Sequence, residues 1–191
     1  MANEYKALLE KAQEQKNMVV VYRDKLDGAF YGGIPVIQSQ ELLVLAKEQE
    51  FRLDGWVALR QKDVTLVEQY DDNDFCRRVL EGEGVYAQAK APKGGCRNWR
   101  ELLEAVRDGC RGWATVECES PEEMLFFVGV VTSVDGNYLM MRRVDADGRW
   151  HPDETTVPLE DITAVSFGGR YLQVYEKYCK AAAGRRNGAK A

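Results

Sequence analysis

The chain has 191 residues and a formal net charge of −5, with 45% hydrophobic and 30% charged residues. These fractions are typical of a folded globular protein and exclude a chain that is disordered throughout. The acidic balance argues against the broad basic surface of a strong nucleic-acid binder, although it leaves room for a local basic patch. No apolar run approaches the roughly 20 residues needed to span a bilayer, so we expect no contact with a membrane.

The first half of the sequence predicts a helix followed by a run of short strands. Within residues 3–16, Tyr5, Leu8, Leu9 and Ala12 recur at the spacing of one apolar helical stripe. Short β-branched and apolar segments then predict strands at 18–22, 30–37, 42–45, 56–60 and 63–67. Pro35 cannot donate to a ladder, so a bulge or an edge is expected near it.

A change in composition divides the chain after residue 84. Residues 85–97 are rich in small and basic residues and are interpreted as a linker. Asn98 and Glu101 then occupy the capping positions of a second amphipathic helix. Further strands are predicted from residue 112 to 167, followed by a helix over 169–179. The basic, Gly/Ala-rich residues 181–191 are expected to be a disordered tail.

The two halves resemble copies of one unit, because matching segments occur in the same order. Examples are Phe30–Gly33 with Phe126–Gly129, Val57–Leu59 with Val157–Leu159, and Phe75 with Tyr171. A duplicated run of short strands favours curling, which hides strand edges. We therefore predict an α+β, mainly β protein of two tandem five-stranded small barrels, each preceded by a helix. The predicted units are 1–84 and 98–180, joined by 85–97 and followed by 181–191.

The second unit resembles the Sm/LSm-like small barrels. That family has a glycine in its second strand, then an aspartate and an asparagine around the next turn, and Gly129, Asp135 and Asn137 follow in this order. The family's second motif, an Arg-Gly or similar pair before the last strand, is not matched, since residues 159–162 read Leu-Glu-Asp-Ile. The resemblance implies that Asp135 and Asn137 hold an RNA base.

Five residues are candidates for a nucleic-acid contact: Asp135, Asn137, Tyr138, Arg142 and Arg143. Each has a structural alternative. The Asp-Gly-Asn sequence suits any tight hairpin turn. Tyr138 can stack on a base or belong to the core. Arg142 and Arg143 can contact phosphate, but strand alternation points them to opposite faces. The basic islands around residues 90–100 and 180–190 are either a clamp for an anion or solubilising segments.

Enzyme chemistry has few candidates in this sequence. There is no nucleophile-elbow, phosphate-loop or histidine metal motif, and His151 is the only histidine. The acidic residues around 145–153 do not have EF-hand spacing and predict a plain turn. The odd number of cysteines, five, and their spacing favour free thiols in a reducing cytoplasm. We expect no catalytic residue, no metal and no cofactor.

These patterns favour a non-catalytic role in the cytoplasm. The first hypothesis is a protein-interaction or assembly module, with a protein partner or self-association through exposed strand edges. The alternative is an RNA-binding Sm-like protein, and an enzyme is the third hypothesis.

Overall fold

The computed structural model describes residues 4–26, 30–70, 74–120 and 122–179. The predicted tail at 181–191 lies outside these residues. The first half contains α1 (Glu4–Gln15), β1 (Val19–Tyr22), β2 (Phe30–Gln38), β3 (Leu42–Gln49), β4 (Arg52–Arg60), β5 (Leu66–Gln69) and α2 (Asp74–Gly82). After α3 (Val85–Gln88), the second half contains α4 (Trp99–Gly109), β6 (Trp113–Glu119), β7 (Met124–Asp135), β8 (Tyr138–Arg143), β9 (Thr155–Pro158), β10 (Ala164–Phe167) and α5 (Arg170–Tyr178).

Both halves have the same order of elements. Each begins with a helix, continues through five strands with a 3₁₀ turn before the last one, and ends with a helix. The 3₁₀ turns, Gln61–Asp63 and Leu159–Asp161, place Arg60 and Pro158 at equivalent positions. The sequence match of Val57–Leu59 with Val157–Leu159 was therefore wrong by two residues, because similar apolar triplets recur along these strands.

The ten strands of the described residues form one antiparallel sheet in the order β5-β1-β2-β3-β4-β10-β6-β7-β8-β9. The α+β, mainly β class is confirmed. The sheet is open, and the two separate barrels are not shown, because β4 pairs with β10 and so joins the halves. Within each half the strand order is the same: fifth, first, second, third, fourth. The edge that curling was expected to hide is instead paired with a strand of the other half.

The predicted helical stripes are confirmed by burial. Leu9 and Ala12 of α1 pack on one sheet face, and four apolar residues of α4 pack in the largest core: Trp99, Leu102, Leu103 and Val106. Asn98 caps α4, since its side chain accepts a hydrogen bond from the Glu101 amide at 2.9 Å. Both cores cross the boundary between the halves, because Ala58 belongs to the α4 core and Ala164 to the α1 core.

The start of the predicted linker 85–97 packs against the first half, and its end packs against α4, where Cys96 is buried in the largest core. Val85 and Ala89 are buried in a third core with Leu80 of α2. The Trp56 indole donates to the Lys90 carbonyl at 2.8 Å. This stretch therefore connects the halves while covering one face of the first.

Local turns explain two details of the strands. The expected irregularity near Pro35 is confirmed as a register shift between Pro35 and Ile37. Strands β3 and β4 are longer than predicted, and only Glu50 and Phe51 separate them. Both residues have positive φ, at 53° and 62°, which two-residue turns of type I′ require. The predicted strands stop at residue 45 and begin again at residue 56, because the residues between them are mostly polar.

A buried polar network joins the halves where β1 ends. Arg23, which lies between the predicted strands 18–22 and 30–37, is completely buried, and its Nη1 lies 2.8 Å from Glu119 Oε2. Thr163 Oγ1 donates to the same oxygen at 2.6 Å. Arg23 Nη2 donates to the Tyr31 hydroxyl at 2.7 Å, and that hydroxyl donates to Glu117 at 3.1 Å. Arg23 and Tyr31 of the first half are thus linked to three residues of the second half: Glu117, Glu119 and Thr163.

Candidate functional site

The predicted Asp135-Gly136-Asn137 turn is present. Strand β7 ends at Asp135 and β8 begins at Tyr138, so Gly136 and Asn137 form a two-residue connection in which Gly136 has a φ of 54°. Asp135, Asn137 and Tyr138 are exposed. Tyr138 is 50% exposed and therefore does not belong to the core. The Asn137 carbonyl accepts a hydrogen bond from the Leu159 amide at 2.8 Å.

Arg100 of α4 holds this turn in place. Its Nη1 donates to the Val134 carbonyl at 3.3 Å, and its Nη2 donates to the Gly136 carbonyl. The sequence grouped Arg100 with a basic island that could bind an anion. In the structure its guanidinium binds backbone carbonyls of the β7–β8 turn instead.

Arg142 and Arg143 have separate partners. The Arg142 guanidinium lies over the Trp150 ring, 4.7 Å from its centroid. Arg143 Nη2 lies 3.3 Å from His151 Nδ1, and His151 Nε2 lies 3.5 Å from Asp145 Oδ1. The sequence indicated no partner for His151, because Asp145 and Arg143 reach it only through the β8–β9 hairpin.

The turn lines a groove of about 720 Å³ between the halves. Of the five candidate residues, Asn137 and Tyr138 line it, whereas Asp135, Arg142 and Arg143 do not. The other charged lining residues are of both signs: Glu41, Arg60, Lys62, Arg100 and Glu160. Arg60 Nε donates to Asp63 at 2.5 Å and its Nη1 to the Glu160 carbonyl at 2.6 Å, so its charge is already engaged.

A second groove of about 600 Å³ lies at the equivalent place in the first half. It is formed by α1, the β2–β3 turn and Gln61, as the first is formed by α4, the β7–β8 turn and the second 3₁₀ turn. Gln40 lines both grooves. The repeat therefore builds a polar groove twice, but the residues of the two copies differ.

The two end strands of the sheet, β5 and β9, are a further candidate surface. Among the described residues, each is paired with one neighbour only. In an antiparallel sheet, the N–H and C=O of one residue point to the same side of its strand, and those of the next residue point to the opposite side. The Tyr70 amide donates inward to the Met18 carbonyl at 3.0 Å. It follows by alternation that the backbone groups of Val67 and Gln69 point away from the sheet.

Strand β10, the counterpart of β5, is paired on both sides. It pairs with β6 on one side and with β4 on the other, where Ala58 lies opposite Val165 and Trp56 opposite Phe167. At the end of this ladder the Arg60 amide donates to the Thr163 carbonyl at 3.0 Å. Val67 and Gln69 of β5 correspond to the β10 residues that face β4.

Strand β9, the counterpart of β4, ends the sheet differently. The Leu159 amide points inward to Asn137, so the preceding residue, Pro158, faces outward. Pro158 occupies the position of Arg60 but has no N–H, and a proline at this place is typical of an edge that accepts no further strand. The signal that would have identified this edge was the proline itself.

The cysteines differ in their exposure to solvent. All five are free thiols, and Cys76, Cys96 and Cys118 are buried. Burial raises the pKa of Cys118 to about 12 and that of Cys96 to about 11, so both are neutral thiols near pH 7. Within the described ranges, no three His, Cys, Asp or Glu side chains converge as metal ligands do.

None of the helices in the described part of the chain combines the length and apolar character that crossing a bilayer requires. Comparisons with protein-family models, curated proteins and solved structures find no match for the chain. The Sm-like resemblance and the RNA contact that it implies therefore stay predictions.

Proposed function

We propose that the protein is a non-catalytic interaction module that binds an extended protein segment as an added strand at the outer edge of β5. The observation that carries the proposal is the difference between β5 and β10. Both occupy the same position in their halves, but β10 accepts β4 on the side where β5 has no strand in the described structure.

The backbone of β5 suits this role. Val67 and Gln69 direct amide and carbonyl groups outward, and hydrogen bonds to such groups give strand addition its affinity. The strand contains no proline, and the Val67 side chain is buried against α1, which holds the edge in an extended conformation. An exposed edge whose outward N–H groups are not blocked by proline is a template for pairing.

The natural probe is a peptide copying β4, because β4 is the strand that β10 binds. A labelled peptide of residues 52–62 should bind the protein in a fluorescence-polarisation titration. Replacing Gln69 with proline removes an outward N–H and should weaken binding at least fivefold, since one lost hydrogen bond is worth about 1 kcal/mol. Gln69→Ala, which keeps the N–H, is the matched control and should bind like the wild type.

A peptide carrying Ala58→Pro lacks the N–H that faces Val67 and should also bind weakly. Equal binding by the Gln69→Pro and Gln69→Ala proteins would contradict strand addition at β5. Circular dichroism of both variants checks that they remain folded. Proline is tolerated at edge positions whose N–H faces solvent, so we expect both to fold.

RNA binding is the second candidate function, and the groove beside the β7–β8 turn favours it. Asn137 can hydrogen-bond a base, Tyr138 can stack on one, and Lys62 is exposed at the same groove. Binding to an RNA pool should fall steeply with salt. Asn137→Ala and Tyr138→Ala should weaken it. Asp135→Ala tests the Sm-like prediction, since Asp135 lies in the turn but not in the groove. No binding at low salt would exclude this candidate.

A further inference from the structure

The side chains around β5 indicate which kind of strand it accepts. Glu68 lies at the middle of the edge with its side chain exposed. Its Oε2 accepts a hydrogen bond from the Tyr22 hydroxyl at 3.0 Å. Among the described residues no cation lies within ion-pair distance of Glu68. A strand added at this edge would place one residue directly opposite this carboxylate.

A second carboxylate lies beside the same edge. Asp24 Oδ2 accepts from Thr65 Oγ1 at 2.9 Å, and the Asp24 amide donates back to that hydroxyl at 3.1 Å. The hydrogen bond with Glu68 raises the pKa of Tyr22, and the charges of Glu68 and Asp24 raise it further. Both carboxylates thus act on the same part of the edge, which is negative, while Leu66 and Tyr70 leave apolar surface exposed on either side of Glu68.

A second copy of the chain is a poor occupant. If β9 of another molecule took the place of β4, Pro158 would face the Thr65 carbonyl without an N–H to donate. If two β5 strands paired so that Val67 lay opposite Gln69 in both directions, Glu68 would face its own copy. Like charges directly opposite each other destabilise a strand pair. Both of these pairings between two copies are therefore unfavourable.

We infer that the β5 edge takes an extended segment of a different protein, with a lysine or arginine opposite Glu68 and apolar residues on either side. This inference rests on the proposed strand addition at β5 and adds the chemistry of the partner. In the pairing of β4 with β10, Val57 lies opposite Ser166, which is the counterpart of Glu68. In a bound β4 peptide, the residue at position 57 would therefore lie opposite the Glu68 carboxylate.

The test uses three peptides of residues 52–62 on the full chain: the native sequence, Val57→Lys and Val57→Glu. At low salt, the lysine peptide should bind about tenfold more tightly than the glutamate peptide, because opposite charges favour and like charges oppose a cross-strand pair. The difference should shrink at high salt, where exposed charges are screened. Glu68→Gln should remove it, while Glu83→Gln, at an exposed glutamate between α2 and α3, should leave it unchanged.

Two results with the peptides would overturn the inference, and they have different consequences for the proposed function. If all three peptides bind alike and Gln69→Pro weakens them all, strand addition holds but the charge preference is wrong. If no peptide binds, the proposed function fails as well. Sedimentation velocity of the wild-type protein provides the remaining check. A monomer is expected, and a dimer abolished by Gln69→Pro would show that a second copy is the occupant.

Discussion

Arg23 Nη1 lies 2.8 Å from Glu119 Oε2, and both side chains are almost completely removed from solvent. Arg23 follows β1 in the first half, whereas Glu119 ends β6 in the second. The pair therefore fixes one half against the other, in addition to the β4–β10 ladder and the shared cores. A buried ion pair carries a desolvation penalty, so its importance appears mainly when one partner is removed.

Removing one member of this pair should destabilise the fold strongly. Arg23→Met leaves Glu119 buried without its cation and should lower the free energy of unfolding by about 3–5 kcal/mol in urea titrations. The double variant Arg23→Met with Glu119→Leu should recover most of this loss. Arg149→Met, which breaks the exposed pair with Asp147, should cost no more than about 1 kcal/mol. If Arg23→Met and Arg149→Met lower the free energy of unfolding equally, the buried pair does not stabilise the contact between the halves.

Gly129 should not tolerate even one added methyl group. A Cβ at this position would lie 2.1 Å from the Arg142 carbonyl oxygen and 2.7 Å from the Arg143 Cα. Gly129→Ala should therefore cost about 1–3 kcal/mol or more through overpacking. Gly109→Ala, at the end of α4, meets no atom within 4 Å and should stabilise the helix by about 0.5–1 kcal/mol. Thermal unfolding of both variants checks the contrast, and a harmless Gly129→Ala would contradict the close strand approach.

Alkaline pH should destabilise the protein through its buried thiols. Burial raises the pKa of Cys118 from 9.0 to about 12, so the folded state keeps the proton that the unfolded state loses. The stability should be unaffected below pH 9 and should fall as the pH rises from 9 towards 12. Urea midpoints at pH 8 and pH 10 measure this slope. Cys118→Ala should reduce the fall in stability between pH 8 and pH 10. An unchanged fall would contradict the contribution of the Cys118 thiol.

Pro158→Ala should allow β9, the end strand that contains this proline, to pair with a strand of another molecule. The substitution restores an outward N–H at the position where Arg60 donates to Thr163. The wild-type chain is expected to be a monomer, and one added hydrogen bond of about 1 kcal/mol should raise its association constant roughly fivefold, as measured by sedimentation equilibrium at high protein concentration. Adding Gln69→Pro to the same chain should reverse the gain. If the association constant is the same with and without Gln69→Pro, β9 does not pair with β5.

Much of the local structure follows from the sequence. The apolar stripe of α4, the cap at Asn98 and the turn at Gly136 depend on neighbours within a few residues, and all were predicted. The pairing of Ala58 with Val165 could not be predicted, because it joins two short strands from different halves with no local signal. The burial of Arg23 could not be predicted for the same reason, since its partner Glu119 is distant in sequence.

In the candidate site, too, the local features could be predicted from the sequence, whereas the long-range contacts could not. The Asp135-Gly136-Asn137 turn was visible because tight turns have a strong local signature. The contact of Arg100 with the carbonyls of this turn was not predicted, since a basic residue on a helix has many possible partners. Val67 and Gln69 gave no signal either, because whether a strand ends a sheet depends on how all the others pair. Pro158 was the exception, as a strand proline indicates an edge.

Amide hydrogen exchange of the 52–62 peptide complex, read residue by residue by NMR, tests strand addition at β5 most directly. The proposed pairing predicts that the outward amides of Val67 and Gln69 become at least tenfold more slowly exchanging when the peptide is bound. The outward amide of Thr156 on β9 should be unchanged. Unaltered exchange at Val67 and Gln69 in a saturated complex, or slowing at Thr156 instead, would contradict the proposal.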